Sequence, residues 1–285
     1  MKKLCLGLFP NMMIEKVKET LPAILQECAA DGIAVRLAPD LARAYGTDVL
    51  AEKDPAIDVA VSLGGDGTFL RMARSMVEQD IPVFGINFGH LGFLAEVDAD
   101  CAGTALQALS RGHLKEERRH LLQLRVVGTD GRQKENTYLA INEFVASRDN
   151  LSTINHFAMW INHKPSGNYA ADGLIISTAT GSTAYSLSAG GPLVEPGLDV
   201  MIITPIASHN LSTRPLVIPA SELVQIQLLQ ENMADVVLSS DGIRLCRLSR
   251  GERAEVTRSP KTLRLIRLTD RDYYETWQEK LIRNL

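Results

Sequence analysis

Asp58-Val59-Ala60-Val61-Ser62-Leu63-Gly64-Gly65-Asp66-Gly67-Thr68 sets the architecture of the first part of this 285-residue chain. An apolar, β-branched run ends in three glycines with one carboxylate among them, and a helical pattern from about Thr68 to Val77 follows directly. Strand, glycine turn and helix in that order form the repeating unit of an open α/β sheet, which binds ligands beyond the carboxyl ends of its strands. There the helix amino end presents unpaired N–H groups and a positive dipole suited to phosphate. Gly64, Gly65 and Gly67 let backbone amides approach phosphate oxygens closely, and Thr68 adds a hydroxyl. Read as structure alone, the segment is a strand-to-helix turn. Asp66 sets it apart, because a carboxylate beside phosphate needs a task, and orienting an attacking hydroxyl and accepting its proton is such a task. Arg71, one helical turn on, is placed for phosphate or for solvent.

The same grammar extends to both sides. Lys3 to Phe9 is an apolar run of strand length, and Asn11 is placed to cap a helix whose positions Met13, Val17, Leu21, Ile24, Leu25 and Cys28 keep the helical period. Gly32 stands where a helix end takes glycine. Ile33 to Leu37 and Ile81 to Ile86 read as strands, and Thr104 to Leu109 as a helix. Such alternation implies a parallel sheet with crossover helices. Past Arg118 the pattern changes: Leu121 to Val127 and Thr137 to Ser147 flank Thr129-Asp130-Gly131, Phe157 to Asn162 and Leu223 to Leu229 alternate, and Val236 to Ser239 meets Ile243 to Leu248 across Ser240-Asp241-Gly242. These are hairpin signals of an antiparallel β domain. The expected division is an α/β domain over 1–117 and a β domain over 118–262, followed by a strand at Thr262 to Leu268 and a helix from about Asp272 to Ile282.

Thirty Lys plus Arg against 34 Asp plus Glu leave a net charge of -4, which offers no global positive field for nucleic acid or an anionic membrane. An anionic ligand has to be held locally. Cys5, Cys28, Cys101 and Cys246 lie far apart without a Cys-x-x-Cys, so neither a zinc site nor a disulfide framework is indicated, and no residue is assigned to metal. The apolar run after Met1-Lys2-Lys3 stops at Pro10-Asn11, short of the roughly 7 to 15 residues of a signal core, and no run reaches the ~20 of a membrane helix. The expectation is a cytoplasmic protein.

Two further motifs narrow the ligand. Asn142-Glu143 follows the alternating stretch Tyr138 to Ile141; an Asn amide can give adenine both a donor and an acceptor, and a carboxylate can accept from two vicinal ribose hydroxyls. From Ala171 to Pro192 a short apolar strand, Leu174 to Ile176, leads into a long run of glycine and small hydroxylated residues. Its composition reads as unable to pack a core and rich in donors for a polyanion, with Tyr185 available to stack on a base. With the glycine loop, these segments closely resemble the NAD kinase family, in order and spacing, over most of the chain. Gly85 to Leu94 is similar to the segment that helps wall the nucleotide site in that family, although His90 is given no role. Loops like Gly64 to Thr68 also occur in diacylglycerol, sphingosine and phosphofructokinases, so the later motifs decide.

The resemblance implies a Rossmann- or phosphofructokinase-like domain to which the end of the chain returns (263–285), its C-terminal helix packing back on that domain, an antiparallel β domain, and an active site in the cleft between them. It implies transfer of phosphate from ATP to the adenosine 2′-hydroxyl of NAD, with Mg²⁺ held mainly by the donor phosphates, and a homodimer or homotetramer. Asp66 takes the catalytic role, and Asp172, Thr180, Thr183, Ala184, Tyr185, Ser186, Leu187 and Ser188 join Asn142 and Glu143 as nucleotide contacts. Ala170 stands where many bacterial members carry Arg, and Ile243 where Gln is frequent, which opens NADH as a second acceptor. Two other readings share some of these features: a diacylglycerol-type lipid kinase, against which stands the lack of a basic amphipathic stretch, and a dinucleotide sensor without catalysis, which would have little use for Asp66.

Overall fold

The computed structural model describes residues 3–89, 92–112, 114–149, 154–210, 212–230, 232, 235–268 and 272–279. The chain forms two compact units, Met1–Arg118 with Leu263–Leu285, and Arg119–Thr262.

In the first unit five parallel strands pair in the order Val83–Asn87, Val59–Gly64, Cys5–Pro10, Ala34–Leu37 and Asp48–Val49. Every residue of Val59–Gly64 and of Val83–Asn87 is buried, the pattern of parallel strands covered on both faces. Helices Glu15–Ala30, Pro39–Tyr45, Asp66–Val77 and Ala102–Arg111 connect the strands. One core cluster joins Leu6, Leu8, Val61, Leu63, Phe84 and Ile86 of the strands to Val17, Leu21, Ile24 and Cys28 on one helix and Leu106 and Leu109 on another. The chain returns at the far end of the strand Arg253–Arg267, where Leu265 lies in parallel beside Val83.

Asn11 does not cap the first helix. That helix starts at Glu15 with no side-chain cap, and Asn11 instead closes the preceding turn: its Oδ1 accepts from Met13 N at 3.1 Å and its carbonyl from Ile14 N at 3.0 Å. Its Nδ2 donates to Thr68 Oγ1 at 3.2 Å, tying the first strand to the glycine loop. The helix after the loop begins at Asp66, two residues before the expected start, so the carboxylate lies in its first turn.

The second unit is antiparallel. A six-stranded sheet runs in the order Leu216–Pro219, Val200–Ile206, Gly173–Thr178, Glu143–Arg148, Val236–Ser240 and Ile243–Leu248. Lys164–Ala171, Asn155–Ile161, Val224–Leu228 and the first part of Arg253–Arg267 pair in series, and Lys115–Val127 pairs with Gln133–Ala140. Phe144, Leu174, Ile176, Met201 and Leu238 of the first set share a core with Leu122, Phe157, Ile226 and Val256 of the second. The single strand expected over Thr137 to Ser147 is two strands, Gln133–Ala140 and Glu143–Arg148, broken at Ile141-Asn142. Ala170 lies opposite His156 in its strand pair, and its carbonyl accepts from His209 N.

At the end of the chain Asp272 caps a short helix, Tyr273–Trp277, by accepting from Tyr274 N at 3.0 Å. The expected helix continues to Ile282, but 280–282 lie outside the described residues, as do His90 and Leu91 of the Gly85 to Leu94 segment. Among the described residues no helix is long and apolar enough to cross a membrane.

Candidate active site

In the first unit, the buried strand Val59–Gly64 delivers the glycine loop to a helix amino end. Gly64 is packed, since a Cβ there would lie 2.6 Å from Thr68 Oγ1, whereas Gly65 and Gly67 face open space. Thr68 is half-buried, and Arg71 is exposed with no hydrogen bond or ion pair to a described residue. Asp66 is half-buried and its carboxylate is turned onto backbone: Oδ2 accepts from Phe93 N at 2.8 Å, and Oδ1 from Leu94 N and Ala95 N at 3.1 and 3.4 Å.

In the second unit Asn142 and Glu143 are buried, not a polar pair in water. The turn residue Asp241 places them. Its carboxylate accepts from three consecutive amides, Ile141 N at 3.0 Å, Asn142 N at 2.8 Å and Glu143 N at 3.0 Å, and its own N–H donates to Glu143 O at 3.1 Å. Those bonds replace ladder bonds at the break between strands. From the other side Thr178 N donates to Asn142 O and Thr178 Oγ1 to Ile141 O, both at 2.8 Å, while Gly181 N donates to Thr178 Oγ1 at 3.0 Å. Gly181 lies so close to this backbone that a Cβ there would fall 2.2 Å from Asn142 O.

Glu143 is 5% exposed, and its Oε2 has no hydrogen-bond partner among the described residues. Burial, then the neighbouring Asp241 charge, push its carboxyl up to about 7, against a smaller opposing effect of the Tyr185 N–H. A buried carboxyl oxygen without a partner disfavours the charged form, in line with that upward shift.

The segment from Gly173 to Ser188 corrects its compositional reading. It is among the most buried stretches of the chain, with Ser177, Thr178, Ser182 and Ser186 at 0% exposure. Hydroxyls make this possible by satisfying backbone and one another. Ser182 Oγ exchanges hydrogen bonds with Val194 O and N at 3.1 and 3.2 Å, and Ser186 Oγ bonds Thr204 Oγ1 at 2.9 Å. Thr180 is buried, Thr183, Ala184 and Leu187 are half-buried, and Tyr185 and Ser188 are exposed in the turn Thr180–Thr183 and helix Tyr185–Ser188. Asp172 forms an ion pair with Arg148 at 3.0 Å. The second unit therefore brings Asn142, Glu143 and the Thr180 to Ser188 segment together, with Tyr185 linked to Glu143. Asp241, Thr178 and Gly181 had no assigned role in the sequence reading; an Asp-Gly turn is visible in a sequence, but its partner a hundred residues away is not.

Comparison with known proteins follows the same order along the chain. Residues 6–114 match the family model of the ATP-NAD kinase N-terminal domain, and 141–268 that of the ATP-NAD kinase C-terminal domain. A NAD kinase of Clostridium botulinum (strain Loch Maree / Type A3) is 40% identical over 230 residues, covering 81% of this chain and 80% of its own. One of Moorella thermoacetica is 39% identical over 280 residues, covering 97% and 88%. Among solved structures, yeast NADH kinase complexed with NADH shares the fold with a TM-score of 0.87 at 24% identity, over 98% of this chain and 87% of that one. A NAD kinase from Archaeoglobus fulgidus in complex with ATP shares it with a TM-score of 0.74 at 21% identity, over 100% of both chains. Two family models that account for most of the chain, and relatives at this identity over four-fifths of it or more, establish that the chain belongs to the NAD kinase family, a family of phosphotransferases.

Proposed function

We propose that this chain carries out the reaction of its family, transfer of the γ-phosphoryl of ATP to the adenosine 2′-hydroxyl of NAD, with Asp66 as the catalytic carboxylate. The observation that carries the assignment is the carboxylate itself, set in the first turn of a helix at the end of a buried strand and fixed by three amides. The acceptor oxygen attacks the γ-phosphorus, its proton passes to Asp66, and the bond to the β,γ-bridging oxygen breaks with the electron pair leaving on ADP. Gly65, Gly67 and the helix amino end, open to a ligand, suit the donor phosphates, with Thr68 and Arg71 beside them. Asn142 would recognise adenine, Glu143 the ribose hydroxyls and Tyr185 a base face, supported by the burial of the first two and the exposure of the third. The hydroxyls of Thr180, Thr183, Ser186 and Ser188 serve the same pocket, those that are buried by shaping its backbone; Ala184 and Leu187 lie between them, and Asp172 contributes through its pair with Arg148.

The divalent cation of the reaction is assigned to the donor phosphates as part of the substrate, as suits a small cation that keeps several waters and binds with substrate phosphates. NADH is a further acceptor in this proposal, supported by the short side chain at Ala170, and the working state is a homo-oligomer in the cytoplasm, the compartment that suits four free cysteines. Purified protein given NAD, ATP and Mg²⁺, followed with an NADP-specific dehydrogenase, tests the reaction. Asp66→Asn should lower turnover by about 10²-fold or more while NAD still binds. Unchanged turnover in that variant would take Asp66 out of the chemistry.

A further inference from the structure

The surroundings of Asp66 say which of its oxygens can work. An ionised carboxylate offers about four lone-pair sites. Leu94 N and Ala95 N occupy Oδ1 at 3.1 and 3.4 Å, and Phe93 N occupies one site of Oδ2 at 2.8 Å. Among the described residues no further donor reaches the carboxylate, which leaves one site, on Oδ2. The three amides converge only because residue 92 has no side chain: a Cβ there would stand 2.0 Å from Oδ1 and 2.6 Å from the carboxyl carbon of Asp66. The backbone around them is anchored to the sheet, since Glu96 N donates to Gly85 O and Phe88 N to Gly64 O, each at 3.1 Å. A Cβ on Gly85 would itself lie 2.8 Å from the Cα of Ala95, so this backbone is pressed against the strand.

We propose that Gly92–Ala95 is a positioning element for phosphoryl transfer: its amides register the Asp66 carboxylate so that Oδ2 alone receives the hydroxyl proton, and position 92 is glycine because a side chain there would displace that carboxylate. The proposal rests on Asp66 being the catalytic group. The O–H proton of the acceptor goes to Oδ2 as the new oxygen–phosphorus bond forms and the bond to ADP breaks.

Steady-state kinetics with NAD, ATP and Mg²⁺ on Gly92→Ala, Asp66→Asn and the double variant test it. Gly92→Ala should lose about tenfold or more in kcat, as expected of a reacting group moved by a fraction of an ångström, with KM for NAD within about twofold of wild type. In the Asp66→Asn background the same change should cost nothing further in kcat, because the group it displaces is already disabled. Wild-type kcat in Gly92→Ala, or an equal loss in both backgrounds, overturns the positioning role and leaves Asp66 in place as the catalytic group. Full turnover in Asp66→Asn overturns the catalytic reading and this proposal with it. Should Gly92→Ala fail to fold, Asp66→Glu decides: it keeps the charge but cannot hold all three amides from a side chain one methylene longer, so it should lose turnover to a similar extent, and wild-type kcat in it overturns the proposal.

Discussion

Glu143 holds a proton in the folded chain at a pH where an exposed glutamate has none, because its carboxyl is pushed up to about 7 from 4.5 by burial first and by Asp241 second. Between those values the folded state binds more protons than the unfolded one. Stability therefore falls as pH rises through that window, and the full penalty of about 3 kcal/mol, at ~1.4 per pH unit, is present only above it. Glu143→Gln removes the charge that causes the penalty, so its melting temperature relative to wild type should rise between pH 5 and pH 8; a constant difference would show that Glu143 does not change protonation there. The same proton bears on binding. If Glu143 accepts from ribose hydroxyls it must release that proton, and the affinity for NAD should increase from pH 6 to pH 8 in wild type and stay flat in Glu143→Gln, as calorimetric titration can show. At this scale the sequence disclosed the unusual residues and hid their partners. Asp66 was legible because a carboxylate among glycines is chemically out of place, and Asn142-Glu143 because of their order between two nucleotide motifs. That Glu143 is buried beside Asp241, or that Gly92 lies against Asp66, depends on contacts between residues 98 and 26 positions apart, which no local pattern records.

Elements were legible where a single physical rule decides them. Buried parallel strands read as unbroken apolar runs, so the first unit could be traced from Cys5 to Asn87 nearly strand by strand. Lys164–Ala171 escaped because Pro165 and Gly167 argue against a strand, yet its first five residues are exposed or half-exposed at a sheet edge, where Pro and Gly are tolerated. Val200–Ile206 was obscured by Pro205, although it lies inside its sheet between Leu216–Pro219 and Gly173–Thr178. The break at Ile141-Asn142 was missed for a different reason: a hairpin turn elsewhere in the unit supplies the acceptor that the strand lacks. Asp241 sits at a backbone φ of 44° followed by Gly242 at 79°, the left-handed pair of a tight hairpin turn, which aims its carboxylate at three successive amides. Asp241→Ala leaves those amides without their acceptor and should lower unfolding free energy by about 2–4 kcal/mol, with Asp241→Asn, which keeps one acceptor oxygen, costing less. Urea denaturation of the two variants measures this order. Equal midpoints in wild type and Asp241→Ala would mean that water replaces the carboxylate at no cost and that the break is held by Thr178 alone.

At the scale of the whole molecule the second unit is an insertion, entered along Lys115–Val127 and left along Arg253–Arg267, so the first unit is complete only when the chain comes back. The sequence offered the strand at Thr262 to Leu268, but only the family resemblance said where it goes. The returning residues carry cations into a set of carboxylates on the first unit: Arg264 forms a two-pronged pair with Glu116 at 2.6 and 3.0 Å and donates to Asp80 O at 2.7 Å, while Arg267 bonds Glu117 at 3.1 Å. Arg264 holds the carboxyl of Glu116 below its ordinary value, mainly through their hydrogen bonds and against a smaller opposing effect of burial. For a lowered carboxyl the contribution to stability is present above the unfolded value near 4.5 and is lost as pH falls through the folded one. Arg264→Met should thus destabilise the protein at pH 7 by about 1–3 kcal/mol, the range for hydrogen bonds to charged groups, discounted toward the lower end because both side chains retain some exposure. Below the Glu116 transition the wild type loses the same interaction, so the two melting curves should converge as the acid limit is approached. A difference that stays constant from pH 7 down to pH 3 would place the effect in the packing of the Arg264 stem and not in its charge, and the closure of the first unit would then rest on Leu265 beside Val83.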